Sequence, residues 1–192
     1  MRVIAGEFRS RKLLSVPGMD TRPTPDRLRE TLFNILNPIL PGTVFVDAYA
    51  GTGAVGIEAL SRGARHAVFI EKSKPALETL QQNIAALKLE NRSRVIRGLA
   101  PMHMASIPAD IVFLDPPYES VRDYLASLES LEASRPALTI VQHSSRHRLE
   151  DAYGPLRRTR LIRQGENALS FYKPQLELKT DSEDQTASPG QD

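Results

Sequence analysis

The sequence predicts an α/β fold built on a mostly parallel β-sheet. Two observations carry that prediction. Short apolar runs of strand length alternate with helical segments from about residue 43 to residue 143, and the chain then closes with two strands that share a short turn. Alternating strands and helices imply right-handed crossovers and a sheet covered on both faces. Two strands joined by so short a turn must be antiparallel. At 192 residues, 41% hydrophobic and 25% charged, the chain has enough material for one domain with a sizeable core.

Each element has its local reason. "RVIAGEFRSRKLLSVP" reads as a short hairpin with basic residues near its turn. "TPDRLRETLFNIL" reads as a helix, with Thr24 as N-cap, Pro25 at the first helical position, and Leu28, Leu32, Phe33, Ile35 and Leu36 forming an apolar face. "TVFVDAYAG" is a strand running into a glycine turn, and "AVGIEALSRG" is a helix closed by Gly63. "HAVFIE", "SRVIRG", "ADIVFLD" and "PALTIVQH" read as strands, with "SKPALETLQQNIAALKL" and "SVRDYLASLESL" as helices between them. "LRRTRLIRQGENALSFYKP" gives the closing pair of strands, turning around Gly165-Glu166-Asn167. The division that follows is an N-terminal extension at 1–36, a main domain at 37–176, and an acidic tail at 177–192 without apolar periodicity, expected to be disordered.

Composition narrows the function. There is no cysteine, which excludes disulfides and thiolate metal sites. No apolar run reaches the ~20 residues of a membrane span, and the N-terminus lacks a signal-peptide core, so a soluble cytoplasmic protein is expected. The net charge of +2 is uneven. The tail holds five acids and one base, −4, which leaves +6 on the rest. Basic residues gather at Arg2, Arg9, Arg11, Lys12, Arg22, Arg27 and Arg29, and again at Arg146, Arg148, Arg157, Arg158, Arg160 and Arg163. Each cluster alone reads equally well as solvated surface; two on one small body favour a polyanionic partner.

Three acids fall at carboxyl ends of strands, where open α/β sheets bind ligands: Asp47, Glu71 and Asp115. Gly51-Thr52-Gly53-Ala54-Val55-Gly56 fits G-x-G-x-x-G between strand and helix, and Glu71 follows at the distance of an acid that grips ribose hydroxyls. A nicotinamide dinucleotide site shares this pattern. Asp47, just before the turn, would repel a pyrophosphate and attract an ammonium group. A cofactor with ribose at one end and an amino acid at the other fits better, and S-adenosylmethionine has that form. Tyr49, inside the turn, is expected to face the site.

"VFLDPPYES" then ends a buried strand in Asp115-Pro116-Pro117-Tyr118. Each proline fixes φ near −65° and removes an N–H, leaving a stiff segment rich in carbonyls. The Asp115 carboxylate and the Pro116 carbonyl can accept both hydrogens of an exocyclic amine on a base and aim its lone pair at a methyl donor. Tyr118 can stack on the base, worth roughly 1–3 kcal/mol. Orientation and electrostatics then carry most of the catalysis. The bland alternative is a strand stop with Tyr118 packed on the rim. His143 and His147 lack a third ligand at useful spacing, and Phe171 and Tyr172 read as sheet residues.

On these residues the sequence resembles amino-group methyltransferases of adenine, cytosine or guanine. "RVIAGEFRSRKL", "RPTPDRLRETLFNIL", "FVDAYAGTGAVGIEALSRGA", "IVFLDPPY" and "GENALSFYKP" more narrowly resemble, in order and over about residues 2 to 174, the RsmD-type bacterial methyltransferases of guanine N2 in small-subunit (16S) ribosomal RNA. The resemblance implies a Rossmann-like sheet of seven strands, antiparallel at its C-terminal strand, with an N-terminal hairpin and helix that help hold RNA. It implies Asp47, Gly51 and Gly53 lining the cofactor site, Glu71 on the ribose, and Asp115, Pro116, Pro117 and Tyr118 on the target base. Arg22, Thr24, Arg27 and Arg29 would lie near the active site or RNA path, and Arg9, Arg11 and Lys12 would contact RNA. Two positions depart from the pattern. Leu99 stands where Asp or Asn usually meets the adenine, leaving backbone near Ala100 for that work, and Gln142 stands where glutamate is frequent. The expected partner is ribosomal RNA or a small-subunit assembly intermediate, met by a monomer. An adenine-N6 methyltransferase of DNA or RNA is the runner-up; a nicotinamide-binding oxidoreductase and a non-catalytic RNA-binding protein are the readings from other classes.

Overall fold

The computed structural model describes residues 1–16, 26–117 and 120–175; Arg22, Thr24, Pro25, Tyr118 and the acidic tail lie outside the described residues. The elements run α1 (Asp26–Leu36), β1 (Val44–Asp47), α2 (Ala54–Ser61), β2 (His66–Glu71), α3 (Lys74–Ala86), β3 (Ser93–Arg97), α4 (Ala100–Met104), β4 (Ile111–Leu114), α5 (Val121–Ser130), β5 (Leu138–Ser144), β6 (Ala152–Tyr153), β7 (Leu156–Gln164) and β8 (Asn167–Pro174). One sheet holds all the strands in the order β3-β2-β1-β4-β5-β8-β7-β6. The first five pair in parallel, and β8, β7 and β6 are antiparallel to their neighbours.

The sequence leads one to expect seven strands, and among the described residues there are eight. The extra one, β6, pairs only two residues with β7, too short a stretch for any periodicity to reveal. α4 was likewise not legible: five residues hold barely more than one turn. The expected N-terminal hairpin is reduced to a single antiparallel bridge between Arg2 and Lys12.

Alternating side chains divide the core between the faces of the sheet. Val46, Val68, Ile70, Val112, Leu114 and Val141 pack on Met104, Tyr124 and Leu128 of α4 and α5. On the other face Phe45, Ile111, Phe113 and Ile140 meet Leu32, Phe33 and Leu36 of α1. The N-terminal segment packs with α2 and α3 through Val3 and Leu13, which join Ile57, Leu60 and Leu80. Polar docking accompanies that packing. The buried Glu58 carboxylate accepts from the Ile4 and Ala5 amides at 2.7 and 3.0 Å, and Glu7 N donates to the Ser61 carbonyl at 2.8 Å. Gly6 sits at φ +81, where a Cβ would lie 1.9 Å from that same Ser61 carbonyl oxygen. No helix among the described residues is long and apolar enough to cross a membrane.

Candidate active site

The strand order reverses about β1, with β2 on one side and β4 on the other, while all three strands run parallel. Such a switch point opens a crevice at the carboxyl ends of the strands. Asp47 pairs with Phe69 of β2 and Phe113 of β4, so Glu71 and Asp115 each stand two residues further out than Asp47. Two residues of strand are about 7 Å. This offset makes Asp47 the recessed member of a row of three acids, and it is buried while Glu71 and Asp115 are half-buried.

Asp47 Oδ2 accepts from the Gly56 amide in the first turn of α2 at 2.9 Å. Burial pushes its carboxyl up to about 7; the Gly56 hydrogen bond opposes the shift and the nearby Glu71 charge adds to it. Glu71 ties the turn to the sheet: Oε2 accepts from Gly51 N at 2.8 Å and Oε1 from Ser73 N at 2.7 Å. The three glycines have different reasons. Gly51, at φ +54, borders open space, since an added Cβ would meet nothing within 4 Å. Gly53 and Gly56 are packing glycines, where a Cβ would stand 2.3 Å from Leu80 Cδ1 and from Phe69 Cε1 respectively. Gly51 thus leaves open space beside the turn that Glu71 holds. Leu99 precedes α4 without capping it and is 49% exposed, while Ala100 is buried and has only backbone to offer.

On the β4 side, Gln142 of β5 stands level with Asp115, because Leu114 pairs with Val141. Its Nε2 donates to Asp115 Oδ2 at 3.0 Å. Pro116 is buried and Pro117 exposed. Tyr124 of α5 donates its hydroxyl to the Pro116 carbonyl at 3.4 Å. The peptide is thus braced from both flanks, by a neighbouring strand and by a helix. In the sequence Gln142 stands out only as a departure from the family pattern, and nothing local singles out Tyr124. The signal for Gln142 is the strand order, since β5 lies beside β4.

Two expected site residues take other roles. Tyr49 does not turn its hydroxyl into the crevice; it bonds Ser127 Oγ at 2.7 Å and the Asp123 carbonyl at 3.4 Å, and burial raises its pKa. Arg29 is not on an RNA path, because its side chain is fully buried. It falls on the stripe 28, 29, 32, 33, 36 that faces the core of α1, a period legible in the sequence. Its Nη2 donates to the Arg2 carbonyl at 2.7 Å and to Asp26 at 3.0 Å, so it pins the N-terminal segment to α1; burial lowers its pKa against the pull of Asp26 and Glu58. Arg9, Arg11, Lys12 and Arg27 are exposed. Asn83 brings the N-terminal segment to the glycine turn, donating to the Leu14 and Thr52 carbonyls at 3.2 and 3.0 Å.

The sequence profile of the family described as conserved hypothetical protein 95 matches residues 1–173. The Bacillus subtilis protein YlbH is 33% identical over 181 residues, 90% of this chain and 98% of that protein. Ribosomal RNA small subunit methyltransferase D of Escherichia coli K12 is 43% identical over 120 residues, 62% of this chain and 60% of that protein. Among solved structures, yhhF from Escherichia coli superposes with a TM-score of 0.80 at 33% identity, covering 92% of this chain and 99% of that one. An RNA methyltransferase from Salinibacter ruber in complex with S-adenosyl-L-homocysteine has a TM-score of 0.60 at 14% identity, covering 83% and 97%, and shares the fold.

Proposed function

From the premise that the chain belongs to the family described as conserved hypothetical protein 95, the RsmD-type proteins, we propose that it is an S-adenosylmethionine-dependent methyltransferase of small-subunit ribosomal RNA, acting on the exocyclic N2 of a guanine. The observation that carries the reading is the row Glu71, Asp47, Asp115 along neighbouring strands, with the open glycine turn beside it. The names of the Escherichia coli and Haemophilus influenzae relatives, both ribosomal RNA small subunit methyltransferase D, support the substrate class.

When bound, S-adenosylmethionine supplies an electrophilic methyl group on a positive sulfur. Asp47 is suited to its ammonium end, because a buried carboxyl near neutrality ionises readily beside a cation. Glu71 has about four acceptor positions and spends two on the Gly51 and Ser73 amides, which leaves capacity for ribose hydroxyls. Leu99 offers apolar surface to the adenine.

Asp115 accepts a hydrogen of the target amine, with its carboxylate oriented by Gln142. The Pro116 carbonyl, which has a second lone pair beyond the one facing Tyr124, accepts the other. Holding both hydrogens on one side aims the nitrogen lone pair toward the methyl donor. Positioning, rather than a strong base, is the contribution of these groups. A base in a loop or junction is easiest to draw out of its stack. Exposed Arg9, Arg11, Lys12 and Arg27 serve the phosphate backbone; Arg29 is withdrawn from that role.

The test is nucleoside mass spectrometry after incubation with labelled cofactor and ribosomal subunits, naked ribosomal RNA or genomic DNA. Label in N2-methylguanosine is expected, and label only in N6-methyladenine would transfer the case to an adenine methyltransferase. Asp115→Ala should reduce transfer by at least ~100-fold, the scale of one lost transition-state hydrogen-bond partner, with cofactor affinity retained.

A further inference from the structure

The second basic cluster of the sequence holds six arginines, and the fold sorts them. Arg146 pairs with Glu166 at 3.4 Å, and Arg157 donates to the Gly154 and Leu156 carbonyls. Arg158 is held by the Asp151 carboxylate and by the Leu149 carbonyl at 3.0 Å. Arg160 pairs with Phe171, whose side chain belongs to the opposite face of the sheet. Arg148 and Arg163 are exposed and have no ion-pair or hydrogen-bond partner among the described residues. Both line one cavity of about 250 Å³, together with Arg158, His143, Ser145 and His147, and no acid among the described residues lines it.

Its place follows from the register. His143 pairs with Ala168, and Ala168 with Arg163, so one row across β5, β8 and β7 carries a histidine, a small methyl and an arginine on the same face. The small central residue leaves depth between the two larger ones. The chain after β5 crosses above this row and supplies Ser145, His147 and Arg148. The cavity opens at the carboxyl edge of the sheet, because β7 runs parallel to β5 through the intervening antiparallel β8.

The cavity also touches the proposed chemistry. His143 follows Gln142, the residue that orients Asp115. The His147 ring stacks on Tyr124 with centroids 5.3 Å apart, and Tyr124 donates to the Pro116 carbonyl. The His143 ring is occupied, with Nε2 on Ser170 Oγ and Nδ1 on the Ser144 carbonyl, both at 2.9 Å. The charge presented to a ligand is therefore that of the guanidinium groups, whose planar forks match phosphate oxygens.

We propose that this cavity, between the 145–149 loop and the carboxyl ends of β5 and β7, receives a backbone phosphate of the RNA strand and so sets its register beside Asp115 and Pro116. The inference rests on the reading of the chain as an RNA methyltransferase. It adds a phosphate site separate from the N-terminal arginines and linked to the base-holding peptide through the stack of His147 on Tyr124.

The experiment is anisotropy of a fluorescent small-subunit ribosomal RNA fragment across a salt series, for the wild type, the double variant Arg148→Ala/Arg163→Ala, and Arg94→Ala. Arg94 is exposed on β3, at the far edge of the sheet. The double variant should bind at least about tenfold more weakly, with a log–log salt slope smaller by about one, the signature of one lost phosphate contact. It should raise KM for RNA with cofactor affinity unchanged, and Arg94→Ala should do neither. An unchanged slope in the double variant, with a wild type that binds and methylates RNA, overturns the proposal alone. An equal loss in Arg94→Ala overturns it as well, because the effect is then one of overall charge. A wild type that binds cofactor but neither binds nor methylates RNA overturns the parent reading. In a parallel arm, inorganic phosphate that stabilises only the wild type, without any change in RNA slope, assigns the cavity to a free anion and overturns the RNA assignment.

Discussion

Removal of the Glu71 carboxylate separates the two duties the structure gives it. One is internal: it accepts the Gly51 and Ser73 amides at 2.8 and 2.7 Å and so fastens the glycine turn and the start of α3 to the end of β2. The other is external, the proposed grip on ribose. A hydrogen bond to a charged group contributes about 1.5–3 kcal/mol. Glu71 is half-buried, so water can reach the freed amides, and the lower end applies to each. Glu71→Ala should therefore cost about 3 kcal/mol of ligand-free stability. Glu71→Gln keeps one acceptor oxygen and turns an NH2 toward the other amide, and should cost about half as much. Urea unfolding reads the order wild type, Gln, Ala in the midpoints, with an unchanged slope. Calorimetry with S-adenosylhomocysteine reads the second duty, where Glu71→Ala should weaken binding by about 1–3 kcal/mol, roughly fivefold to 150-fold. Equal midpoints for wild type and Glu71→Ala would refute the fastening argument. Lost stability with intact cofactor affinity would leave the fastening and remove the ribose role.

Three further outcomes are expected. Gln142→Leu preserves volume but deletes the donor to Asp115; methyl transfer should fall about tenfold or more with cofactor affinity intact, and unchanged turnover would deny Gln142 a positioning role. Asp47 is raised from 3.8 to about 7 in the fold, so between those values the unfolded chain binds fewer protons than the native one and the residue's contribution to stability declines as pH rises. Asp47→Asn, whose carbonyl can still accept from Gly56, should gain stability relative to wild type from pH 4.5 to 7, and a pH-independent difference in urea midpoints would contradict the burial of this acid. Gly6→Ala should cost on the order of 2–3 kcal/mol, because a Cβ at φ +81 meets the Ser61 carbonyl at 1.9 Å; a midpoint like that of wild type would mean the N-terminal segment is not docked on α2 in solution.

The alternation of strands and helices, hence the parallel sheet, and the three acids at strand ends are legible in the sequence. Those are local facts, written in periodicity and in turn residues such as Gly51 and Pro116. It also held the placement of Arg29, whose helical period points inward, although its charge suggested the surface. Strand order is a different kind of fact, since nothing local states that β5 lies beside β4. That Gln142 bonds Asp115, that Tyr124 braces Pro116, and that Tyr49 turns to Ser127 rather than to the crevice follows from the folded sheet alone. It also settled which arginines of the second cluster are ion-paired, because their acids arrive from the 150–151 loop and the β7–β8 turn. Periodicity sets the face on which a side chain stands. What stands opposite depends on register between segments distant in the chain, and only the folded sheet fixes that register.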